Sequence, residues 1–98
     1  MKPIFECDGE VCHISGATTF SYLDGLSKDL LTHAGKQQDM KIDLKQVSDC
    51  DSAFVALLMA CLQIKKKQNQ TLSLFGCPKK VLEMIDVYGL AESGIQIG

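Results

Sequence analysis

The stretch MKIDLKQVSDCDSAFVALLMACLQIKKK, residues 40–67, changes its hydrophobic period midway, and that change sets the fold class. Met40, Ile42 and Leu44 alternate with Lys41, Asp43 and Lys45, the period of a strand buried mainly on one side. From Phe54 to Ile64 the apolar residues follow a helical spacing. Phe54, Val55, Leu58, Cys61 and Leu62 share one face, with Leu57 and Ile64 beside it. A helix that apolar is buried along much of its girth, or contacts a partner. The polar knot between the two patterns reads as a loop over residues 47–51. Asp51 stands directly before the helix, where its carboxylate accepts from backbone N–H groups two or three residues on, worth about 1 kcal/mol over alanine. Ser48 or Asp49 serves instead if the helix begins earlier. Lys65, Lys66 and Lys67 close the helix, where they complement its dipole and stay in water.

The flanks extend the same alternation of elements. Residues 4–7 and 11–15 read as two strands joined at Asp8-Gly9, a hairpin signal. In the second strand Cys12 and Ile14 take the core face, and His13 is partly exposed. Leu23, Leu26, Leu30 and Leu31 mark a helix that starts near residues 19–21 and fades at Ala34-Gly35. Residues 71–75 read as a strand. Pro78 suits the first turn of another helix, striped by Val81, Leu82, Met84 and Ile85 and stopped at Gly89. Residues 95–97 leave room for a last short strand. Strands joined through helices pair in parallel by right-handed crossovers, and the opening hairpin makes the sheet mixed. The expectation is an α/β fold of order β-β-α-β-α-β-α with room for a final β, and with helices mainly on one face of the sheet.

A chain of 98 residues has room for one domain, residues 1–98. A net charge of −2 argues against nucleic-acid binding, which needs a basic face. The longest mostly apolar run, residues 53–62, is half of the roughly 20 residues of a bilayer span, so direct membrane insertion is not expected. Met1 to Phe5 carries Pro3 and no apolar segment behind it, which reads as no signal peptide and a cytoplasmic location. The five cysteines are odd in number and lack CxxC spacing, so they read as reduced, small hydrophobes. Neither His13 nor His33 has the spacing of a ligand pair, so no metal and no cofactor are expected. Cys50 and Cys77 fall in expected loops, and nothing in the pattern singles out either as a reactive thiol.

Enzyme chemistry finds no frame. Ser52 lacks a G-x-S-x-G setting. Asp49 and Asp51 have loop spacing without a metal partner, and no glycine-rich phosphate loop occurs. A non-catalytic binding role is the better reading. Loops at the C-terminal ends of parallel strands form the usual recognition edge of an α/β sheet. The loop over residues 47–51 and the Gly76-Cys77-Pro78 loop leave neighbouring strands at that edge. Ser52, in the first turn of its helix, is also placed to carry a phosphate on the backbone N–H groups, a charge that Asp49 and Asp51 oppose.

In order and spacing, Asp43-Leu44, Asp51-Ser52, the apolar helix over residues 54–64, the lysine stop, the strand over residues 72–75 and Gly89-Leu90 resemble the STAS domain family. The resemblance spans nearly the whole chain and implies the STAS-like (SpoIIAA-like) fold. It implies two functions. One is that of the small MlaB-type STAS subunit of the Mla phospholipid ABC transporter. Such a subunit docks on the cytosolic ATPase, peripheral to the inner membrane, and supports transport that maintains outer-membrane lipid asymmetry. The other is that of an anti-sigma-factor antagonist, phosphorylated by a serine kinase partner on the serine after the aspartate, here Ser52. The resemblance favours the transporter subunit. Its docking face is expected at Asp51, Ser52, Ala53 and Val55, with Gly76, Cys77 and Pro78 alongside. Antagonists carry a glycine where this chain has Phe54, which either buries itself or fills a partner's pocket.

Overall fold

The computed structural model describes residues 2–98. The chain runs β1 (Ile4–Asp8), β2 (Val11–Thr18), a 3-10 turn (Phe20–Tyr22), α1 (Leu23–Ala34), β3 (Met40–Cys50), α2 (Ser52–Lys67), β4 (Leu72–Phe75), α3 (Lys79–Val87) and β5 (Gln96–Ile97). The five strands lie in chain order in one sheet. β1 pairs antiparallel with β2, and every later pair is parallel. This is the expected mixed sheet, and the last short strand is formed.

Three helices shield one face. Ile14, Met40, Ile42, Leu44, Leu72 and Leu74 pack in one buried cluster with Leu26 and Leu30 of α1, Phe54, Leu58 and Cys61 of α2, and Val81 and Ile85 of α3. Phe54 is fully buried there, which contributes about 1.5–3 kcal/mol over leaving it exposed. The opposite sheet face carries the pair His13 Nδ1–Asp43 Oδ2 at 3.0 Å. Asp43 also accepts the Lys45 backbone N–H at 3.0 Å. That hydrogen bond first, then His13 and Lys45, holds its carboxyl below the ordinary value against the opposing effect of burial.

The strands β2 and β3 are longer at their C-terminal ends than the sequence pattern indicates. β2 continues through Gly16 to Thr18, and β3 continues through the expected loop to Cys50. Two irregularities account for this. His13 pairs with Asp43 but Ser15 with Gln46, and Gly16 pairs with Val47 but Ala17 with Asp49. Each step places one extra β3 residue against β2, a β-bulge that resets which side chains face the core. Alternation therefore stops at Leu44 while the ladder goes on.

Lys65 departs from its expected place in water. It is fully buried. Its ammonium donates to Lys36 O at 2.6 Å, Gln38 O at 2.8 Å and Gln70 Oε1 at 3.1 Å. Three acceptors match the three donors of an ammonium, so the charge is satisfied and ties the end of α2 to the segment before β3. Burial pulls its pKa down from the ordinary lysine value.

The cysteines also differ from the expectation of five reduced thiols. Cys7 and Cys12 are opposed residues of the β1–β2 hairpin and form a disulfide. Cys50 ends β3, buried, rather than lying in a loop. Among the described residues, no helix is long and apolar enough to cross a membrane.

Candidate functional site: the C-terminal edge of the parallel strands

Thr18 and Cys50 are register partners, so β2 and β3 end level with one another. Thr18 Oγ1 donates to Asp49 O at 3.0 Å and locks the two strand ends together. α2 begins at Ser52, and its cap is Asp51, in extended conformation, with Oδ1 accepting the Ala53 N–H at 3.0 Å. The other carboxylate oxygen accepts the Phe20 N–H at 2.9 Å. One side chain thus satisfies an unpaired amide of the helix start and fixes the turn that leads into α1. Phe20, held there, is 77 % exposed. Ser52 is exposed at the first position of α2.

The expected site residues divide into two levels. Asp51, Ser52 and Ala53 lie at the edge, with Ser52 exposed and Ala53 half-buried against the core. Val55 is 2 % exposed, so its side chain offers no free surface. The second loop sits lower on the sheet. β4 pairs with β3 only as far as Phe75 against Asp43, while β3 runs on to Cys50. Gly76 follows at once, with φ of +62°, and a Cβ there would stand 2.8 Å from the Lys45 Cβ. Glycine is required by both the left-handed backbone and that close approach. Cys77 and Pro78 are half-buried, and Pro78 caps α3 from just outside its first turn. The step between the levels is spanned by Lys80, whose Nζ reaches Asp49 Oδ1 at 3.4 Å.

The edge therefore presents Phe20, Ser52 and the Asp49–Lys80 pair. Phe20 and Lys80 were not among the expected site residues. Phe20 follows Thr18-Thr19 with no apolar partner at helical spacing other than Leu23, and its backbone N–H meets Asp51 across 31 positions. Burial pushes Cys61 and Cys77 up to about 11 and also raises Cys50. The reactive form of a thiol is the thiolate, which such values suppress at neutral pH.

The same architecture occurs in solved structures of low sequence identity. An anti-sigma-factor antagonist (STAS) domain protein from Planctomyces limnophilus superposes with a TM-score of 0.76 at 17 % identity, covering 100 % of this chain and 91 % of that one. The anti-sigma factor antagonist SpoIIAA in its unphosphorylated form gives 0.70 at 12 % identity, covering 98 % and 86 %. These likenesses define a SpoIIAA-like α/β fold. No curated protein sequence matches the chain. Residues 6–97 match the family model described as "Mlab, STAS domain". The chain belongs to the STAS domain family, in its MlaB-type branch.

Proposed function

We propose that this chain is a non-catalytic adaptor that docks on the ATPase subunit of an Mla-type phospholipid ABC transporter through the edge around Ser52. The match of residues 6–97 to the MlaB-type family carries the reading. The physical support is the pairing of an exposed Phe20 with an exposed Ser52, both positioned by Asp51. A large exposed aromatic beside a hydroxyl is the composition of an interface anchor with a polar neighbour. The ATPase binds and hydrolyses the nucleotide; this chain supports its assembly from the cytoplasmic side.

The test is co-expression with the ATPase subunit. Ser52→Glu places an unpaired charge in the contact and Phe20→Ser removes its apolar anchor, and both reduce co-purification and ATP hydrolysis. Unchanged co-purification together with unchanged hydrolysis in both variants sinks the proposal.

The second reading, an antagonist switched by phosphorylation of Ser52, is favoured by the likeness to two antagonist structures. Phe54 stands where antagonists carry glycine, and it is fully buried. It neither fills a partner's pocket nor blocks one, so this departure is a change of packing rather than of surface. Incubation with a serine kinase of the anti-sigma-factor class and ATP adds one phosphate by intact mass if this chain is such an antagonist, and a Ser52→Ala chain gains none.

A further inference from the structure

Two sulfurs and an imidazole converge at the end of the molecule opposite the docking edge. Cys7 on β1 and Cys12 on β2 are directly opposed, with Cα atoms 4.0 Å apart. His33, in the last turn of α1, lies over them. Its Nε2 is 3.2 Å from Cys12 Sγ, and its Nδ1 is 3.8 Å from Cys7 Sγ. One ligand atom from each residue falls within 4.8 Å of the others. Cys12 and His33 are buried, while Cys7 is exposed on a surface hollow that also contains Lys28, Asp29 and Thr32.

We propose that, once the Cys7–Cys12 bridge is reduced, Cys7, Cys12 and His33 bind a divalent cation of the zinc class, and that the disulfide is the metal-free alternative of the same site. Zinc bonds of about 2.3 Å to sulfur and 2.0 Å to nitrogen place tetrahedral S and N ligands about 3.5 Å apart. One ring nitrogen binds the ion: Nε2, 3.2 Å from Cys12 Sγ, already stands near that distance, and one ligand atom from each of the three residues falls within 4.8 Å of the others. The two sulfurs must part to about 3.8 Å. Rotation about the Cα–Cβ bond of Cys7 allows this, because that residue is on the exposed edge strand. Two thiolates neutralise a divalent charge, so the complex tolerates Lys28 beside it. A water reaching in from the hollow completes four-coordination.

The reduction balances with a dithiol reductant. The Cys7–Cys12 S–S bond breaks, each sulfur takes one proton and one electron, and the reductant becomes a disulfide. The cation then displaces both thiol protons to solvent as two metal–sulfur bonds form. Reoxidation by a disulfide-class oxidant removes both thiolate ligands and releases the cation.

Cobalt(II) titration tests this with the whole chain, reduced by a phosphine that supplies no competing thiolate. The reduced chain takes up one equivalent, with a sulfur-to-cobalt charge-transfer band and the intense visible bands of four-coordinate cobalt, and zinc displaces it. The disulfide form shows neither band. Cys7→Ser, at the exposed ligand, weakens affinity by at least about 100-fold, beyond the loss of an outer-shell partner. His33→Gln weakens it similarly, and Cys77→Ser leaves it unchanged. Circular dichroism of the Cys7→Ser chain, which lacks the bridge, reports that the fold persists without it. A reduced chain that unfolds, binds no cobalt, or binds it no more tightly than the Cys7→Ser chain overturns the proposal.

Discussion

Asp51 uses both oxygens of one carboxylate, one on the Ala53 N–H at 3.0 Å and the other on the Phe20 N–H at 2.9 Å. The same side chain therefore starts α2 and seats the turn before α1. The strand edge inherits its shape from this arrangement, because Phe20 and Ser52 are positioned by a common neighbour rather than by each other.

Asp51→Ala removes a helix cap and a charge-assisted hydrogen bond together. The expected loss is about 2 kcal/mol, read as a lower urea midpoint with the slope unchanged. Amide exchange at Phe20 should accelerate more than exchange in β4, and equal acceleration at both places contradicts the tether.

Lys65→Met keeps the aliphatic stem and deletes the ammonium. Lys36 O, Gln38 O and Gln70 Oε1 then lose their donor within a buried site. Destabilisation of about 1–3 kcal/mol is expected in thermal or urea unfolding. Lys66→Met, whose ammonium touches Ser93 O from an exposed position, should change stability by no more than about 0.5 kcal/mol.

Asp43 makes stability depend on acid. Its carboxyl titrates below the ordinary value of 3.8 in the folded chain, held there first by the Lys45 backbone N–H. The unfolded chain therefore takes up the proton first as pH falls. The stabilisation is complete above 3.8 and is lost as pH drops through the lower folded value. Asp43→Asn should flatten this part of the stability–pH curve, measured by urea unfolding across the acid range. An unaltered curve contradicts the assignment.

Thiol counts test the cysteine arrangement. Without reductant, the denatured chain should release three thiols to a chromogenic disulfide reagent, and five after reduction. In the native chain Cys61 and Cys77, pushed up to about 11, expose about one thiolate in 10⁴ at pH 7, so both should react far more slowly than in denaturant. A fast native reaction at either contradicts their burial.

Periodicity, with the turn and cap residues, indicated the element order, the mixed sheet, the core face of Cys12 and Ile14, and Asp51 as a candidate helix cap. Each depends on residues within a turn or a strand of one another, where spacing along the chain dictates spacing in space. Tertiary structure decided the rest. The β3 bulges lie in its pairing with β2, which alternation within β3 does not record. Lys65 is buried because the carbonyls of Lys36 and Gln38, 29 and 27 positions away, complete its hydrogen bonds. Val55 is buried, as its spacing with Phe54 and Leu58 predicts, whereas Phe20 is exposed beside a contact to Asp51 that lies 31 positions away. Cys7, Cys12 and His33 meet because a hairpin opposes the first two and α1 folds back over them. Their sequence spacing resembles no ligand pair, since the convergence comes from strand pairing and helix packing.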